Sequence, residues 1–421
     1  MTLRQVMTSG LFALGLLASA QTTATGPSPA QSLFDQATFL IGFNYNGPAT
    51  VPNFRELRRQ YQPQLDQACA GQGNRCGYEK ARPIIASIVE SLKDPFTVMM
   101  TRAQMDDDER YMAGLGPSTP RIGVWVRQIP QGLVVLESFS NEPAFEAGVR
   151  RGDLITQIGG QPATLARLTE AEASKAAFPL TYTRRGTPST ITLTAKVAES
   201  TMRPRLEMVG NTAVIRIYHL YSSEDFVVAQ RVHDILREAN SRGARGIVID
   251  LRDALSGFDT DALRVASAFI DQGGFIYDRR WQGGDETYGF QGNNFFTQEE
   301  GGERAAAGGL QLGRPSRTQL PTVVLVNRNT INSTEMLAYF LQKAGRARVV
   351  GEPTAGALGQ SGSADGLISG DYIAVSSLRM KNLDGSPFPQ RLTPDVAVPE
   401  NLEALLNGQD VQLERALELL R

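Results

Sequence analysis

The chain has 421 residues, 41% hydrophobic and 20% charged, which suits two or three folded domains with a real core. Its net charge of −2 argues against nucleic acid or an anionic membrane surface as the main partner. With only two cysteines and two histidines, far apart along the chain, no metal site and no cofactor is expected.

Residues 1–20 read as a secretory signal peptide. Arg4 supplies the charge, residues 10–18 a short apolar region, and Ala18-Ser19-Ala20 a small-residue cleavage site. The alternative is an uncleaved anchor, but the apolar run is well under the ~20 residues that a span needs, and no later segment reaches that length. A secreted, periplasmic or cell-envelope location without a stable membrane span is therefore expected. Residues 21–50, rich in Thr, Pro, Ala, Ser and Gln, read as a flexible linker. Residues 51–115 read as a helical region, with apolar residues at helical spacing over 54–61 and 81–92. Between them Cys69 and Cys76 flank a Gly-containing loop. In an oxidising compartment a local disulfide is the favoured reading, and two free thiols are the alternative. Asp94-Pro95-Phe96-Thr97 reads as a helix stop, because proline disfavours helix at the preceding residue.

Over residues 119–198, two short strands, 122–126 and 132–136, are separated by a Pro/Gly turn. Glu142-Pro-Ala-Phe-Glu-Ala-Gly-Val149 and Arg151-Gly-Asp-Leu-Ile155 follow. This stretch resembles a bacterial PDZ domain. Such modules add a peptide as an extra strand and hold its terminal carboxylate on backbone N–H groups. The resemblance places that site at Ile122, Gly123 and Val124 and implies protein or peptide C-termini as partners. The alternative is a PDZ fold that only gates or scaffolds.

Residues 203–400 alternate strand and helix, which argues for an α/β layer fold. Strands are expected at 213–218, 246–251, 321–326 and 372–376, and helices at 223–239, 260–271 and 333–344. The Gly-rich stretch 279–318 reads as a long connection covering a cleft. An amphipathic helix closes the chain within 401–421. The focus is Thr330-Ile-Asn-Ser-Thr-Glu335, where a strand passes into a helix N-terminus, followed by Gly351-Glu-Pro-Thr-Ala-Gly-Ala357. Helix N-termini offer unpaired N–H groups and a positive dipole end to a developing oxyanion.

These two motifs, with Asp94-Pro-Phe-Thr97, Asp250-Leu-Arg252, Ser256-Gly257 and Thr393-Pro-Asp395, resemble in order the tail-specific, or C-terminal-processing, serine peptidases. The resemblance runs from about residue 50 to the C-terminus. It implies a crotonase/Clp-like α/β peptidase core with an inserted PDZ domain and a helical N-terminal region. The family's nucleophilic Ser falls at Asn332, its base Lys at Ala357, and its Lys-orienting acid at Lys343. Its oxyanion turn falls at Ser256-Gly257. Asn332 caps a helix as well as Ser would, and Glu335 three residues on suggests a capping box. An amide, however, is a poor nucleophile.

Two functions remain open. One is a serine-type endopeptidase acting near the C-termini of exported proteins through a modified site. Ser333 would supply the hydroxyl, His219 the base, and Gly257 with the Ser333 N–H the oxyanion donors. His233 reads as solvent-facing, and Glu352 and Asp250 as acids that could orient a base. The other is a pseudopeptidase that binds C-termini through the PDZ domain without cutting them.

Overall fold

The computed structural model describes residues 26–51, 53–113, 118–197, 202–279, 283–362 and 364–421. The expected signal peptide lies outside them, as does Trp281.

Five parallel strands form the centre of the α/β core. In sheet order they are Val396–Ala397, Ala347–Gly351, Thr322–Val326, Gly246–Asp250 and Thr212–Arg216, with Arg205–Val209 added antiparallel at one edge. Gly246–Asp250 and Thr322–Val326 are buried at every position, which is why they read as unbroken apolar runs. Helices Val228–Ser241, Asp259–Ala266 and Ser333–Lys343 pack on this sheet. Val228, Val232, Ile235, Leu236 and Ala239 recur at helical spacing, and all are buried. His233 shares that buried side and is 0% exposed, contrary to the solvent-facing position expected. Its Nδ1 accepts from the Ser316 N–H at 2.8 Å, so Nε2 carries the proton that faces the Arg264 carbonyl at 2.9 Å. Its charged neighbours hid a histidine that is satisfied inside the core.

The stretch expected as a linker holds a 16-residue helix, Pro29–Asn44, capped by the Ser28 side chain. Leu33, Phe34, Ala37 and Ile41 form its buried stripe against Ile85 and Ile88 of the helix Tyr78–Ser91. Small and polar residues dilute this stripe in the sequence. Cys69 and Cys76 are joined by a disulfide, with Cα atoms 5.5 Å apart. Within 279–318, expected as a long connection covering the cleft, stands a hairpin, Glu286–Gln291 and Asn294–Glu299, that widens a second, antiparallel sheet. Phe290 and Phe295 from it are buried in the main core.

Residues 121–196 form a separate small unit. Its sheet runs Val124–Ile129, Gly132–Ser138, Leu154–Ile158, Phe178–Arg184, Thr187–Leu193, and the helix Leu165–Ala173 packs into its core. Buried charges tie this unit to the α/β core. Glu137 takes Arg205 and Arg216, Arg216 reaches Asp250, and Asp410 takes Arg151 and Arg252. Two short helices, Leu402–Leu406 and Val411–Glu418, stand where one was expected at the C-terminus.

Candidate active site

Strand Thr322–Val326 ends in a turn that carries the chain into helix Ser333–Lys343 through Asn332. Asn332 has φ 55° and ψ −117°. A side chain in that region is strained, and such strain persists only where the surroundings impose it. Here they do. Glu335 Oε2 accepts from the Asn332 N–H at 2.7 Å. Ser256 Oγ donates to Asn332 Oδ1 at 2.7 Å, and Asn332 Nδ2 donates to the carbonyls of Gln360 and Ala357. The loops that meet at this point are stitched together. Thr330 Oγ1 donates to the Leu251 carbonyl at 2.8 Å, and Asp253 Oδ1 accepts from Asn327 and Asn329 at 2.9 and 2.7 Å.

Positions 332 and 357 therefore meet, as the resemblance implies, but as an amide on a carbonyl. Ala357 is fully buried. Ser333 is also fully buried, and its Oγ has no hydrogen-bond partner among the described residues. His219 does not reach it. The His219 Nδ1 accepts from the Tyr221 N–H at 3.0 Å, and burial pushes the ring down to about 4. No hydrogen bond joins a hydroxyl to a His or Lys nitrogen among the described residues, so the expected Ser333–His219 pair is not formed. Lys343 is exposed at the far end of its 11-residue helix, 3.9 Å from Asp384. It cannot orient a base at 357. Asp250 is committed elsewhere too. Burial alone would raise its carboxyl, but Arg252 and Arg216 hold it well below the usual range. Glu352 pairs with Arg328 at 3.1 Å.

Gly257 faces Leu220, and a Cβ there would lie 2.2 Å from the Leu220 carbonyl carbon. The glycine is required by close approach, and Ser256 beside it is free to serve as the Asn332 partner. Asp94 of the Asp-Pro-Phe-Thr segment is buried beneath the site. It accepts from Thr97 Oγ1 at 2.8 Å and Ser376 Oγ at 2.6 Å, so it ends a helix and also ties the helical region to the cleft wall.

A cleft of about 260 Å³ opens in front of Asn332, lined by Ser256, Gly257, Asp259, Tyr221, Tyr277 and Ser361 among others. Sequence reasoning missed Asp259, which follows Gly257 closely but looks like an ordinary first-turn acid. Burial pushes its carboxyl up to about 7, and hydrogen bonds from Tyr277, at 2.8 Å, and Ser361 draw it partly back. A carboxyl raised in the folded state binds protons that the unfolded chain has released. It therefore lowers stability as pH rises from about 4 to about 7, and the penalty is complete above that. Asp259→Asn keeps an acceptor for Tyr277 and removes the ionisation. Thermal unfolding should show the variant stabilised by about 2–4 kcal/mol at pH 8 and unchanged at pH 4. Equal effects at both pH values would mean that Asp259 is not the raised group.

In the small unit, Ile122 is buried and its N–H donates to Glu172 Oε1 at 2.9 Å. Gly123 has φ +79°, and a Cβ would sit 2.1 Å from Glu142 Cβ, so only glycine fits. Val124 opens the edge strand and pairs with Ser138. Among the described residues, no group of three His, Cys, Asp or Glu side chains is placed to hold a metal ion, and no helix is long and apolar enough to cross a membrane.

Residues 211–398 match Peptidase family S41. The matched stretch spans the parallel strands and helices of the α/β core. A carboxyl-terminal-processing protease of Synechocystis sp. is 24% identical over 359 residues, covering 81% of this chain and 77% of that protein. The carboxy-terminal processing protease CtpA of Bacillus subtilis is 22% identical over 284 residues, covering 65% of this chain but only 54% of that protein. Among solved structures, one from Bacteroides fragilis ascribed to the S41 proteases superposes with a TM-score of 0.54 at 14% identity, covering 92% of this chain and 96% of that one. At that identity it speaks for the fold alone.

Proposed function

We propose that this S41 chain is an exported pseudopeptidase that binds polypeptide C-termini through a PDZ domain at 119–198 and holds them at a cleft without cutting them. One observation carries the reading. The strained elbow is intact, yet it presents the amide of Asn332, bonded to Ser256 and to the Gln360 carbonyl. Acyl transfer needs a nucleophile within reach of a base, and neither partner of that pair is present at the elbow. Glu335 still accepts from the N–H groups of Asn332, Gly356 and Ala357, so the frame has outlived the dyad. The disulfide of Cys69 and Cys76 suits the oxidising compartment that residues 1–20 suggest.

The names of the relatives favour a second reading, in which the chain is itself a C-terminal-processing serine peptidase using Ser333. One experiment separates the two. The purified full chain is incubated with unfolded proteins ending in free apolar tails, and binding is followed alongside mass spectrometry of new termini. Saturable binding with no new termini is expected. Cleavage that disappears in Ser333→Ala would establish the peptidase instead.

A further inference from the structure

The small unit has an open sheet edge, the strand Val124–Ile129, with the helix Leu165–Ala173 running beside it. Two contacts fix their relative direction. At the far end of the strand Gln128 Oε1 accepts from the Leu165 N–H at 2.9 Å, and at the near end Glu172 Oε1 accepts from the Ile122 N–H at 2.9 Å. Val124 and Val126 of the strand and Leu168 and Ala171 of the helix share one apolar cluster between these contacts. An open edge flanked by a helix accepts an extended segment as an added strand, and a backbone N–H at its head takes that segment's carboxylate. Here that N–H already holds a carboxylate.

We propose that Glu172 is a built-in occupant of the carboxylate site, a stand-in that an incoming polypeptide C-terminus must displace from the Ile122 N–H. The inference rests on the tail-binding reading above. Three observations support it. The contact joins positions 50 residues apart, so local helix geometry does not create it. Burial raises the Glu172 carboxyl, and the Ile122 N–H, then Arg121, itself paired with Asp107, draw it back toward the charged form, as they would a ligand carboxylate. And Glu172 lies on the last turn of the flanking helix, at the head of the strand where Ile122 stands. Two carboxylates cannot share one N–H, and like charges at that distance repel, so Glu172 sets a threshold that weak tails do not pass.

The test uses the full chain and fluorescein-labelled octapeptides randomised at their last three positions, prepared as free acids and as C-terminal amides. Binding is read by anisotropy for the wild type, Glu172→Ala and Glu172→Gln. Losing a charge-assisted hydrogen bond's competition should tighten the free acids on the order of tenfold or more in Glu172→Ala and leave the amides unchanged. Glu172→Gln, which removes the charge but keeps an acceptor, should fall between and serves if the alanine variant folds poorly. Free acids that bind all three forms equally, or bind the variants more weakly, would overturn the role of Glu172 and leave tail binding standing. Free acids that bind none of the forms would overturn tail binding itself.

Discussion

Glu335→Ala should be the most destabilising single substitution in the cleft, costing at least about 4 kcal/mol. Glu335 is 0% exposed. Its two oxygens accept from the N–H groups of Asn332, Gly356 and Ala357, at 2.7, 3.0 and 2.9 Å, and from the Thr354 hydroxyl. Burial pushes the carboxyl up and these four donors draw it back. Alanine would leave three backbone donors buried without partners, and each such loss costs about 1–3 kcal/mol. The same change releases the elbow, because the strained φ of Asn332 is held through its N–H bond to Glu335. Chemical denaturation should therefore show a lower midpoint, with protease sensitivity near 330–332 and 354–358. Glu335→Gln keeps one acceptor and should cost less. Lys343→Ala, on the same helix but exposed, should stay within about 0.5 kcal/mol. An alanine variant as stable as the wild type would show that the elbow is held by the Asn332 side-chain bonds to Ser256 and Gln360 instead.

How far the sequence carries depends on how local each signal is. The strands Gly246–Asp250 and Thr322–Val326 were legible because burial on both faces writes an unbroken apolar run. The order of the motifs located the elbow, since Thr330, Asn332 and Glu335 all act within one turn of each other. Helix Pro29–Asn44 was not legible, because Gln31, Ser32, Gln36 and Thr38 interrupt its apolar stripe with residues typical of linkers. The hairpin at 286–299 hid behind the glycines that flank it. Site residues failed where the signal was three-dimensional. Asp259 matters because Tyr277 and Ser361 converge on it from two strands, and His233 has its ring nitrogens satisfied by the Arg264 carbonyl and the Ser316 N–H from distant segments. Lys343 matches the family's acid only by its place at the end of the helix. Over 11 residues, at 1.5 Å each, it lies about 16 Å from the elbow.

Asn332→Ser combined with Ala357→Lys should turn an inert cleft into a weakly proteolytic one. The elbow already holds position 332 in the strained conformation, and contact of its amide with the Ala357 carbonyl shows the two positions to be adjacent. Serine retains the backbone bond to Glu335 and vacates the space of the amide in front of the 260 Å³ cleft. A lysine introduced at a buried position has its charged form disfavoured, so its amine is lowered toward neutrality and can take the Ser proton. Attack of the Ser oxygen on a peptide carbonyl breaks the C–N bond, the lysine passes its proton to the leaving amine of the C-terminal fragment, and water then hydrolyses the acyl-enzyme. Since Lys343 is remote and already beside Asp384, changing it should add nothing. Each single substitution should remain inert, because nucleophile and base act as a unit. Ser256 loses its acceptor when Asn332 is replaced, and its hydroxyl is left to face the cleft. Ser256→Gly in the double variant should therefore raise turnover further. The measurement is release of fluorophore from an internally quenched peptide with a free apolar tail, alongside a thermal melt to show that the variant is folded. A folded double variant with no turnover above the wild type would mean that the cleft lost more than its dyad, and Asp259 and Tyr277, packed against it, would be the first groups to replace.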